Sequence, residues 1–568
     1  MTARNSSNFE ATRAADDAAA RSLNDSDLAE LAPFGEQRSV AAGQVLYRAD
    51  DPSSDFFVVL EGEVEMLRQD MEGDVVVIVH GPGRFLGELN LLTGQRPYLT
   101  AQVRTAGRIL VIPPAGFQSL MRSKPDIADL IFNALTARRE FLRTGEAARA
   151  IRIVGSRYSP ETMALRGFLT HSHVAHTWID VEDAGEPDAL LSGMGLAPSD
   201  LPAVLTPRAV LRRTTPADVG LQLGLTYQVE PGFIFDLVVV GTGPAGLAAS
   251  VYGASEGLKT VSVDRVAIGG QAGSSSRIEN YVGFPNGISG EELASRAAIQ
   301  AQRLGARLNA PCLAAALRRD RGFHVLTLND GSEIPTRSVI IASGARYRRL
   351  AVAGLERFEG AGVYYAATDL EAKICTGQQV VVVGGGNSAG QGALYLAQQG
   401  SRVKLVIRGN DLGRRMSRYL VDRIEADGRI EVLRETEVRA VSGESHVESL
   451  VLQHAPTGEQ REVGCSGLFC FIGAEPATEW LGHAVALDAK GFVLTDRQLP
   501  EPVMRTTFSG RNPFAFETSV MGVFAVGDVR SGSMKRVAAA VGEGSSAVRS
   551  VHDYLSTYPS KVASVPGR

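Results

Sequence analysis

Two glycine-rich segments carry the residues best suited to chemistry in this chain. The first reads Gly241-Thr-Gly-Pro-Ala-Gly246 and the second reads Gly384-Gly-Gly-Asn-Ser-Ala389. In such a loop the first glycine permits a tight turn, the second lets the backbone approach a pyrophosphate, and the last small residue lets a helix pack on a strand. The amino end of the following helix then attracts phosphates with free N–H groups and a partial positive charge. We therefore predict two dinucleotide-binding units.

The elements that must position these loops are visible on either side of them. Leu237–Val240 runs into the first loop and Val380–Val383 runs into the second. Strands that helices cover on both faces have this continuous apolar character. Asp264 follows the next predicted strand, Thr260–Val263, where an acid can accept hydrogen bonds from a ribose diol.

In the second unit the residue at the corresponding place is basic. Arg408 follows the predicted strand Val403–Ile407, and Arg414 and Arg415 come close behind it. An acid there would repel a 2′-phosphate, whereas arginine binds phosphate through a planar fork of donors. We therefore predict NADPH at the second loop, with NADH as the alternative. The other interpretation of these arginines is a solvated basic surface.

The elements together predict an α/β protein with two Rossmann-like, three-layer nucleotide-binding domains. A chain of 568 residues is expected to form about three to five domains at roughly 100–200 residues each. Short strands between turns over residues 23–143 predict a small β-roll, in which Phe56–Leu60 is a strand that ends at Glu61–Gly62. The order strand, helix, strand, strand over residues 150–224 predicts a second, smaller α/β module.

Several further motifs make residues 235 to about 558 similar to low-molecular-weight thioredoxin reductases and their flavoprotein relatives. Gly269-Gly-Gln271 resembles their flavin-contacting turn, and Glu279-Asn-Tyr281 resembles their segment near the isoalloxazine. Ala342-Ser-Gly344 resembles their crossover between nucleotide domains, and Gly527-Asp528 resembles their second flavin fingerprint. The resemblance implies FAD at the first loop, an NADP-binding domain inserted into the FAD-binding domain, and a homodimer. It also implies that the inserted domain rotates about a hinge.

The residues predicted to bind cofactors form two sets. The set for FAD is Gly241, Gly243, Pro244, Ala245, Gly246, Asp264, Gly270, Gln271, Asn280, Gly344, Gly527, Asp528, Val537 and Ala538. The set for NADPH is Gly384, Gly386, Asn387, Ser388, Arg408 and Arg414. We predict no acid–base catalyst and no metal site. The cluster His171, His173 and His176 lacks acidic or cysteine partners at metal-site spacing, so a polar surface is expected there.

Thioredoxin reductases carry a Cys-x-x-Cys pair just before the second glycine loop, and this chain departs from them there. It reads Gly362-Val-Tyr-Tyr-Ala-Ala-Thr-Asp369, with a lone Cys375 downstream. Cys465 and Cys470 are separated by four residues, and we expect them, like Cys375, to be buried core residues. Thiol–disulfide exchange requires an attacking thiolate, so reduction of thioredoxin cannot be assumed.

The expected activity is therefore hydride transfer from NADPH to FAD and then to an unidentified small-molecule or protein acceptor. A small electron carrier, a quinone, a nitro compound and oxygen all remain open. One alternative is a thioredoxin-disulfide reductase that uses non-standard cysteines. Another is a flavin-based redox sensor that signals through the N-terminal modules.

The first of those modules, over residues 23–143, resembles a cyclic-nucleotide-binding domain. Phe85–Leu92 is similar to the phosphate-binding cassette, which implies that Gly87, Glu88 and Arg96 contact a cyclic nucleotide such as cAMP or cGMP. Arg96 precedes Pro97, whereas the family has the proline first, and proline cannot make the charge-assisted bonds of arginine to phosphate. A structural or partner-docking module is therefore the alternative.

The second module, over residues 150 to about 224, resembles a thioredoxin or glutaredoxin domain. Ser156-Arg-Tyr-Ser159 stands where such folds place Cys-x-x-Cys, so the module is expected to be redox-inactive. The peptide bond between Leu201 and Pro202 is expected to be cis. Docking or spacing is the expected role.

Composition and segment boundaries complete these expectations. A net charge of −5 without a basic run argues against nucleic-acid binding. No signal peptide and no apolar run of about 18 residues is visible, so we expect a cytoplasmic protein that does not cross a membrane. The predicted divisions are a polar tail over 1–22, the β-roll module over 23–148, the thioredoxin-like module over 149–226, FAD-binding parts over 233–345 and 471–560, and the NADP-binding part over 346–470.

Overall fold

The computed structural model describes residues 22–557 except 50, 52–54, 71–72, 88–96, 98, 145–150, 173, 175, 184–186, 207–208, 227–231, 274, 276, 368 and 510. Contacts divide the chain into two compact units. One unit comprises the described residues of Met1–Ser156, Ala164–Gln228 and Gln302–Pro311, and the other those of Arg157–Met163, Val229–Ala301 and Cys312–Arg568. None of the helices in the described ranges combines the length and the apolar character needed to traverse a bilayer.

The first part of the chain forms an antiparallel β-roll, which confirms that prediction. Its strands are β1 (Glu36–Val40), β2 (Val45–Tyr47), β3 (Phe56–Asp70), β4 (Gly73–His80), β5 (Phe85–Leu86) and β6 (Thr100–Ile112). The order is β1-β6-β3-β4, with β2 against β6 and β5 against β3. The accompanying helices are α1 (Asp25–Leu31), α2 (Pro114–Ser123) and α3 (Pro125–Thr144).

The sequence predicts that the strand Phe56–Leu60 ends at Glu61–Gly62. This prediction is wrong, because β3 continues through these two residues. The register between β3 and β6 shifts between Val59 and Val64, and Gly62 takes a φ of +86° that a residue with a Cβ rarely adopts. Such bulges bend a strand without ending it. In the sequence, a glycine at a bulge inside a long strand therefore resembles a glycine in a turn that ends a strand.

The second module contains a small mixed sheet in the order β10-β9-β7-β8. Its strands are β7 (Arg152–Gly155), β8 (Thr177–Asp180), β9 (Ala203–Leu205) and β10 (Val210–Leu211), and its helices are α4 (Pro160–His171), α5 (Pro187–Gly193) and α6 (Pro216–Gln222). β8 is parallel to β7 and β9 is antiparallel to it. The peptide bond between Leu201 and Pro202 is cis, as expected. Helices α5 and α6 were not predicted, and the thioredoxin-like assignment of this module stays a prediction.

A mostly parallel sheet carries the first glycine loop. Its strands are β11 (Phe235–Val240), β12 (Thr260–Val263), β14 (Ala314–Asp320), β15 (Phe323–Leu328), β16 (Glu333–Ile341) and β27 (Val523–Ala525). They lie in the order β12-β11-β16-β15-β14, and β27 pairs with β16. β12, β11, β16 and β27 are parallel, whereas β14 and β15 form an antiparallel extension. The first unit also contains β13 (Arg307–Asn309).

Two helices from segments far apart in the chain, α7 (Pro244–Ser255) and α14 (Val537–Thr557), pack against this sheet. The short α8 (Gly270–Gly273) and α9 (Gly290–Arg303) lie between them in the chain. Leu237 and Val239 of β11 and Phe524 of β27 share one buried core with Ala249 of α7 and Val548 of α14. The last helix therefore completes the core that the first loop begins.

The second glycine loop belongs to a separate parallel sheet in the order β18-β25-β19-β20-β21. Its strands are β18 (Val363–Tyr364), β19 (Gln379–Val383), β20 (Arg402–Val406), β21 (Ile430–Leu433) and β25 (Gly467–Cys470). An antiparallel meander follows β21 and consists of β22 (Thr436–Ser442), β23 (Ser449–His454) and β24 (Gln460–Gly464). β17 (Ala345–Tyr347) and β26 (Ala474–Pro476) pair with each other. The helices around this sheet are α10 (Asp369–Ile374), α11 (Asn387–Gln398) and α12 (Arg418–Ala426), and α13 (Glu501–Phe508) follows later in the chain.

The continuous apolar run in β19 is explained by its two buried faces. Val380 and Val382 pack in a core with residues of α11 and α12, whereas Val381 and Val383 pack in a core with residues of β22 and β23. Successive side chains of a strand point to opposite faces, so a strand between two layers is apolar throughout. Short 3-10 helices lie at Ala32–Phe34, Val181–Asp183, Pro198–Asp200, Leu355–Phe358, Glu479–Leu481, Asp496–Gln498 and Gly527–Val529.

Candidate functional site

Four parallel strands end at one edge of the first large sheet, and each is followed by a residue predicted to bind flavin. β11 leads to Gly241, β12 to Asp264, β16 to the segment containing Gly344, and β27 to Gly527. The carboxyl ends of parallel strands are where open α/β sheets bind ligands. The fold thus gathers motifs that are widely separated in the sequence.

The glycines of the first loop meet different surroundings, and this distinguishes packing from ligand contact. A Cβ added to Gly246 would lie 1.8 Å from the carbonyl oxygen of Gly241, and one added to Gly241 would lie 2.2 Å from that of Ala342. A Cβ added to Gly243 would have no closer neighbour than the Cα of Gly270, at 3.9 Å. The backbone at Gly243 is therefore open on its outer side, as a cradle for a pyrophosphate requires.

Asp264 is held at the end of β12 by the loop itself. Its Oδ2 accepts hydrogen bonds from Thr242 N at 2.6 Å and Thr242 Oγ1 at 2.9 Å, and its Oδ1 accepts one from Val266 N at 3.1 Å. Burial raises the pKa of this carboxyl group, against the effect of these hydrogen bonds. The acid predicted from the sequence spacing thus touches the glycine loop.

The segment Gly269–Gln271 lies against the same loop. Gly269 N donates to the carbonyl oxygen of Thr242 at 2.9 Å, and the side-chain amide of Gln271 donates to the carbonyl oxygen of Ala345. Gly344 takes a φ of +69° and has open space where a Cβ would be. Asn280 is exposed on its loop. The flavin-contacting turn and the crossover are therefore joined by Gln271.

The segment Gly527–Asp528 packs directly on the first glycine loop. A Cβ added to Gly527 would lie 2.9 Å from the Cβ of Ala245, and one added to Gly544 would lie 2.1 Å from the carbonyl oxygen of Ala245. Burial, together with the negative charge of Glu543, raises the pKa of Asp528, against the opposing charges of two basic neighbours. Val537 is the first residue of α14, and Ala538 is exposed beside it.

The second glycine loop shows the same division between packing and open backbone. A Cβ added to Gly384 would lie 2.3 Å from the carbonyl oxygen of Phe471, whereas one added to Gly386 would meet nothing within 4 Å. Gly386 caps α11 without a side-chain hydrogen bond. The side chain of Asn387 bonds Ser417, donating to its Oγ at 2.9 Å and accepting from its N at 2.7 Å. Ser388 is exposed.

Arg408, Arg414 and Arg415 are all exposed beyond the end of β20. Within the described residues none of the three forms an ion pair with a carboxylate, although their neighbour Arg418 pairs with Asp422 at 2.8 Å. Asp411 between them accepts a hydrogen bond from Gly413 N at 2.8 Å. Three guanidinium groups are therefore available to an anionic ligand at this edge.

The four cysteines are all buried and carry free thiols. Burial raises the pKa of each of them, Cys312, Cys375, Cys465 and Cys470, to about 12. Such groups are almost entirely protonated near neutral pH, and only the thiolate attacks a disulfide. In the second module Ser156 Oγ donates to Glu182, and Ser159 Oγ donates to Glu161 Oε2 at 2.8 Å. These positions do not provide a dithiol.

Of the residues predicted to contact a cyclic nucleotide, Gly87 is described and the others are not. Gly87 is buried after β5 with a φ of +140°, whereas Glu88 and Arg96 lie outside the described residues. His173 also lies outside them. His176 lies beyond the end of α4, with its Nδ1 2.8 Å from the carbonyl oxygen of Val174. Among the described residues no group of three metal-ligating side chains comes together.

Sequence reasoning did not find two charged residues beside the second fingerprint. Arg530 and Glu543 form an ion pair of 2.6 Å in which both side chains are mostly buried. Glu543 lies in the second turn of α14, 13 positions beyond Arg530, so neither motif nor spacing pointed to the pair.

Comparison with known proteins agrees with this architecture. Residues 235–544 match the family described as pyridine nucleotide-disulphide oxidoreductase, and residues 37–124 match the cyclic nucleotide-binding domain. Thioredoxin reductase of Treponema pallidum (strain Nichols) is 34% identical over 323 residues, which are 57% of this chain and 98% of that protein. Thioredoxin reductase of Bacillus subtilis (strain 168) is 30% identical over 57% of this chain and 95% of its own length.

A solved structure agrees as well. Lactococcus lactis thioredoxin reductase in the FR conformation is 29% identical, with a TM-score of 0.51 over 57% of this chain and 99% of its own. The sheet edge at which four parallel strands end, the two open glycines and these matches all lead to the same conclusion. The chain belongs to the pyridine nucleotide-disulphide oxidoreductase family, as an NAD(P)H-dependent oxidoreductase that also carries an N-terminal cyclic nucleotide-binding domain.

Proposed function

We propose that this enzyme transfers a hydride from NADPH to FAD and passes the electrons to an acceptor without a protein dithiol. The observation that carries the proposal is the pair of open glycines, Gly243 and Gly386, each at the end of a parallel strand and the start of a helix. Two such sites in one chain suit one dinucleotide each.

The residues around Gly243 fit FAD. The amino end of α7 presents unpaired backbone N–H groups to a pyrophosphate, and Asp264 lies where a ribose diol would donate to it. Asp528, at the end of β27, would accept a hydrogen bond from the ribityl chain, as the resemblance implies. The remaining residues of the proposed site act through the backbone or through packing, because most are glycine or alanine.

The residues around Gly386 fit NADPH better than NADH. Arg408 and Arg414 are exposed near the carboxyl end of β20, where a 2′-phosphate would lie. Charge-assisted bonds from arginine to phosphate are stronger than bonds between neutral groups. NADH lacks this phosphate, so it would gain nothing from these side chains.

When bound, FAD supplies the redox chemistry, since it accepts a hydride from the nicotinamide and returns two electrons to an acceptor. The chain itself binds and orients the reactants. Backbone N–H groups would hold the pyrophosphates, and Asp264 and Asp528 would bind the ribose and the ribityl chain of FAD. Gln271 ties the turn Gly269–Gln271 to the crossover by its bond to Ala345. No side chain of the proposed sites is needed as a general acid or base.

The acceptor distinguishes this chain from relatives named thioredoxin reductase. Where those enzymes carry a dithiol, this chain has Gly362–Asp369 without cysteine, and its four thiols are buried. A small electron carrier, a quinone, a nitro compound and oxygen all fit a reduced flavin that works without a dithiol. A disulfide reductase built on Cys375 or on Cys465 and Cys470 is disfavoured by the raised pKa of these thiols.

Anaerobic titration of the yellow full-length protein with NADPH tests the proposal. We expect the flavin to bleach with one equivalent of NADPH and no thiol to appear on titration of the native reduced protein. A screen of acceptors, including thioredoxin, then identifies the product. Two new thiols per flavin would establish the disulfide reductase instead, and fast bleaching with negligible turnover on every acceptor would establish the redox sensor.

We also propose that the N-terminal domain binds a cyclic nucleotide, because residues 37–124 match that family. A ligand can regulate only through different affinities for two states of the protein. Calorimetric titration with cAMP and with cGMP tests binding, and Glu88→Ala is the matched variant. Absence of heat with either nucleotide would leave a structural or docking role for the domain.

A further inference from the structure

The turn that contains Asp528 is held by an ion pair that no sequence motif predicts. Gly527 N donates to Glu543 Oε2 at 2.7 Å. Arg530 Nε donates to the same oxygen at 3.2 Å, and Arg530 Nη2 donates to Glu543 Oε1 at 2.6 Å. The guanidinium and the carboxylate therefore meet as two parallel bonds, the arrangement that gives an arginine–carboxylate pair its direction.

Residues on both sides of Asp528 along the chain bind the carboxylate of Glu543. Gly527, immediately before it, is bonded to Glu543, and Arg530, two residues after it, is bonded to the same carboxylate. Arg530 N also donates to the carbonyl oxygen of Gly527 at 3.0 Å, which closes the turn. The direction of the Asp528 side chain is thus set by a turn whose two ends share one partner.

The surroundings leave this turn little freedom to adjust. The side chains of Arg530 and Glu543 are 16% and 12% exposed, and Arg530 lies over the ring of Phe516 at 5.5 Å. Gly527 itself packs on Ala245 of the first loop. Removing one partner of a buried pair leaves an uncompensated charge, so the turn should move when either side chain is changed.

We propose that Arg530 and Glu543 are positioning residues for FAD: they hold Asp528 in the direction in which it binds the ribityl chain. This deepens the proposed function and rests on it. Because Arg530 and Glu543 neutralise each other in this pair, Glu543→Gln would leave an uncompensated guanidinium two residues from Asp528 and would make the flavin potential more positive. Charge near a flavin tunes its electronics.

The chain offers a matched control in a second buried pair. Arg511 donates to both oxygens of Glu517 at 2.8 Å, and Glu517 also accepts from Phe514 N at 2.8 Å and Gly522 N at 3.1 Å. Like the first pair, it joins an arginine and a glutamate through two bonds and includes backbone donors, but it does not hold the Asp528 turn. Glu517→Gln therefore reproduces the structural cost of Glu543→Gln without its proposed effect on FAD.

The test compares the full-length Glu543→Gln and Glu517→Gln proteins. After removal of flavin, FAD is titrated back while its fluorescence is followed, and the midpoint potential of the reconstituted protein is measured. We expect Glu543→Gln to raise the Kd for FAD about tenfold or more, as loss of a charge-assisted hydrogen bond implies, and to make the potential more positive. Glu517→Gln should change neither quantity substantially.

Equal changes in both variants, or an unchanged Kd and potential in Glu543→Gln, would overturn the inference. If Glu543→Gln does not fold, Arg530→Lys and Arg511→Lys give the same comparison, because lysine keeps the charge and loses the fork. The proposed function fails separately: it is wrong if the unaltered protein binds no FAD or if NADPH does not reduce it. If the wild type binds FAD and is reduced by NADPH, but Glu543→Gln has the same Kd and potential as the wild type, only the positioning role is refuted.

Discussion

Arg423 of α12 makes an ion pair with Glu279, whose loop follows the flavin-contacting turn; its Nη1 lies 3.3 Å from each carboxylate oxygen. The pair joins the sheet of the second glycine loop to the segment expected near the isoalloxazine. If the NADP-binding part rotates during turnover, as the resemblance implies, this contact has to break and reform.

We therefore expect Glu279→Gln to accelerate the interchange between arrangements. Exposed ion pairs contribute about 0.2–1 kcal/mol, so stopped-flow reduction and reoxidation of the flavin should become about two- to fivefold faster where rotation limits the rate. High salt should produce a similar change in the wild type. Glu333→Gln is the control, since it breaks an exposed pair with Arg318 at 2.9 Å inside one sheet; an identical effect there would contradict the prediction.

The open glycines predict a separation of folding from cofactor binding. Gly243→Ala adds a methyl group that meets no protein atom closer than 3.9 Å, so the protein should fold normally and bind FAD about tenfold or more weakly, or by about 1.4 kcal/mol. Gly386→Ala should do the same for NADPH alone. Gly246→Ala overlaps the carbonyl oxygen of Gly241 at 1.8 Å and should destabilise the protein by about 1–3 kcal/mol.

Equilibrium titration with each cofactor and urea unfolding of the apoprotein measure these effects. Weaker NADPH binding in Gly243→Ala, or normal FAD binding in it, would show that the two loops have been assigned to the wrong ligands.

The exposed arginines beyond the end of β20 predict a preference for NADPH over NADH. Arg408→Glu should weaken NADPH binding about 10- to 100-fold, as loss of a charge-assisted bond to phosphate implies, and should change NADH binding little. Steady-state KM values for the two cofactors measure this. Arg418→Gln is the control, because that arginine is engaged with Asp422. An equal change for both cofactors in Arg408→Glu would point to a solvated surface instead.

His324 of β15 predicts a loss of stability in acid. It is 2% exposed, and burial, with the charge of Arg319, lowers its pKa to about 4. Below pH 6.5 the unfolded chain binds a proton here, whereas the folded chain does so only near pH 4. Stability should therefore fall by about 3 kcal/mol as the pH drops from 6.5 to 4. Urea midpoints across this range should decline less steeply in His324→Gln than in the wild type.

Much of the fold could be predicted because its physical causes are local. The apolar runs before Gly241 and Gly384 are buried on both faces, and that alone distinguishes them from half-exposed strands. The acid at Asp264 could be placed by its spacing from the loop. These features depend on neighbours along the chain.

What could not be predicted depends on contacts between distant segments. The fork between Arg530 and Glu543 exists only because α14 folds back over β27, and neither residue has a distinctive neighbour. The continuation of β3 through Gly62 likewise depends on β6, because the register between the two strands shifts at this point. The burial of Cys375 could be expected because free cysteine is among the most buried residue types, but the raised pKa of its thiol depends on the distant segments that bury it.

The contact of Ala245 with Gly527 and Gly544 has a consequence for biosynthesis. The first glycine loop leaves the ribosome long before β27 and α14, with the whole sheet of the second glycine loop in between. Contacts between segments so far apart form slowly, and domains generally fold as units in the order of synthesis. The nascent chain should thus complete the proposed nicotinamide site first, and the proposed flavin site only after α14 has been synthesised.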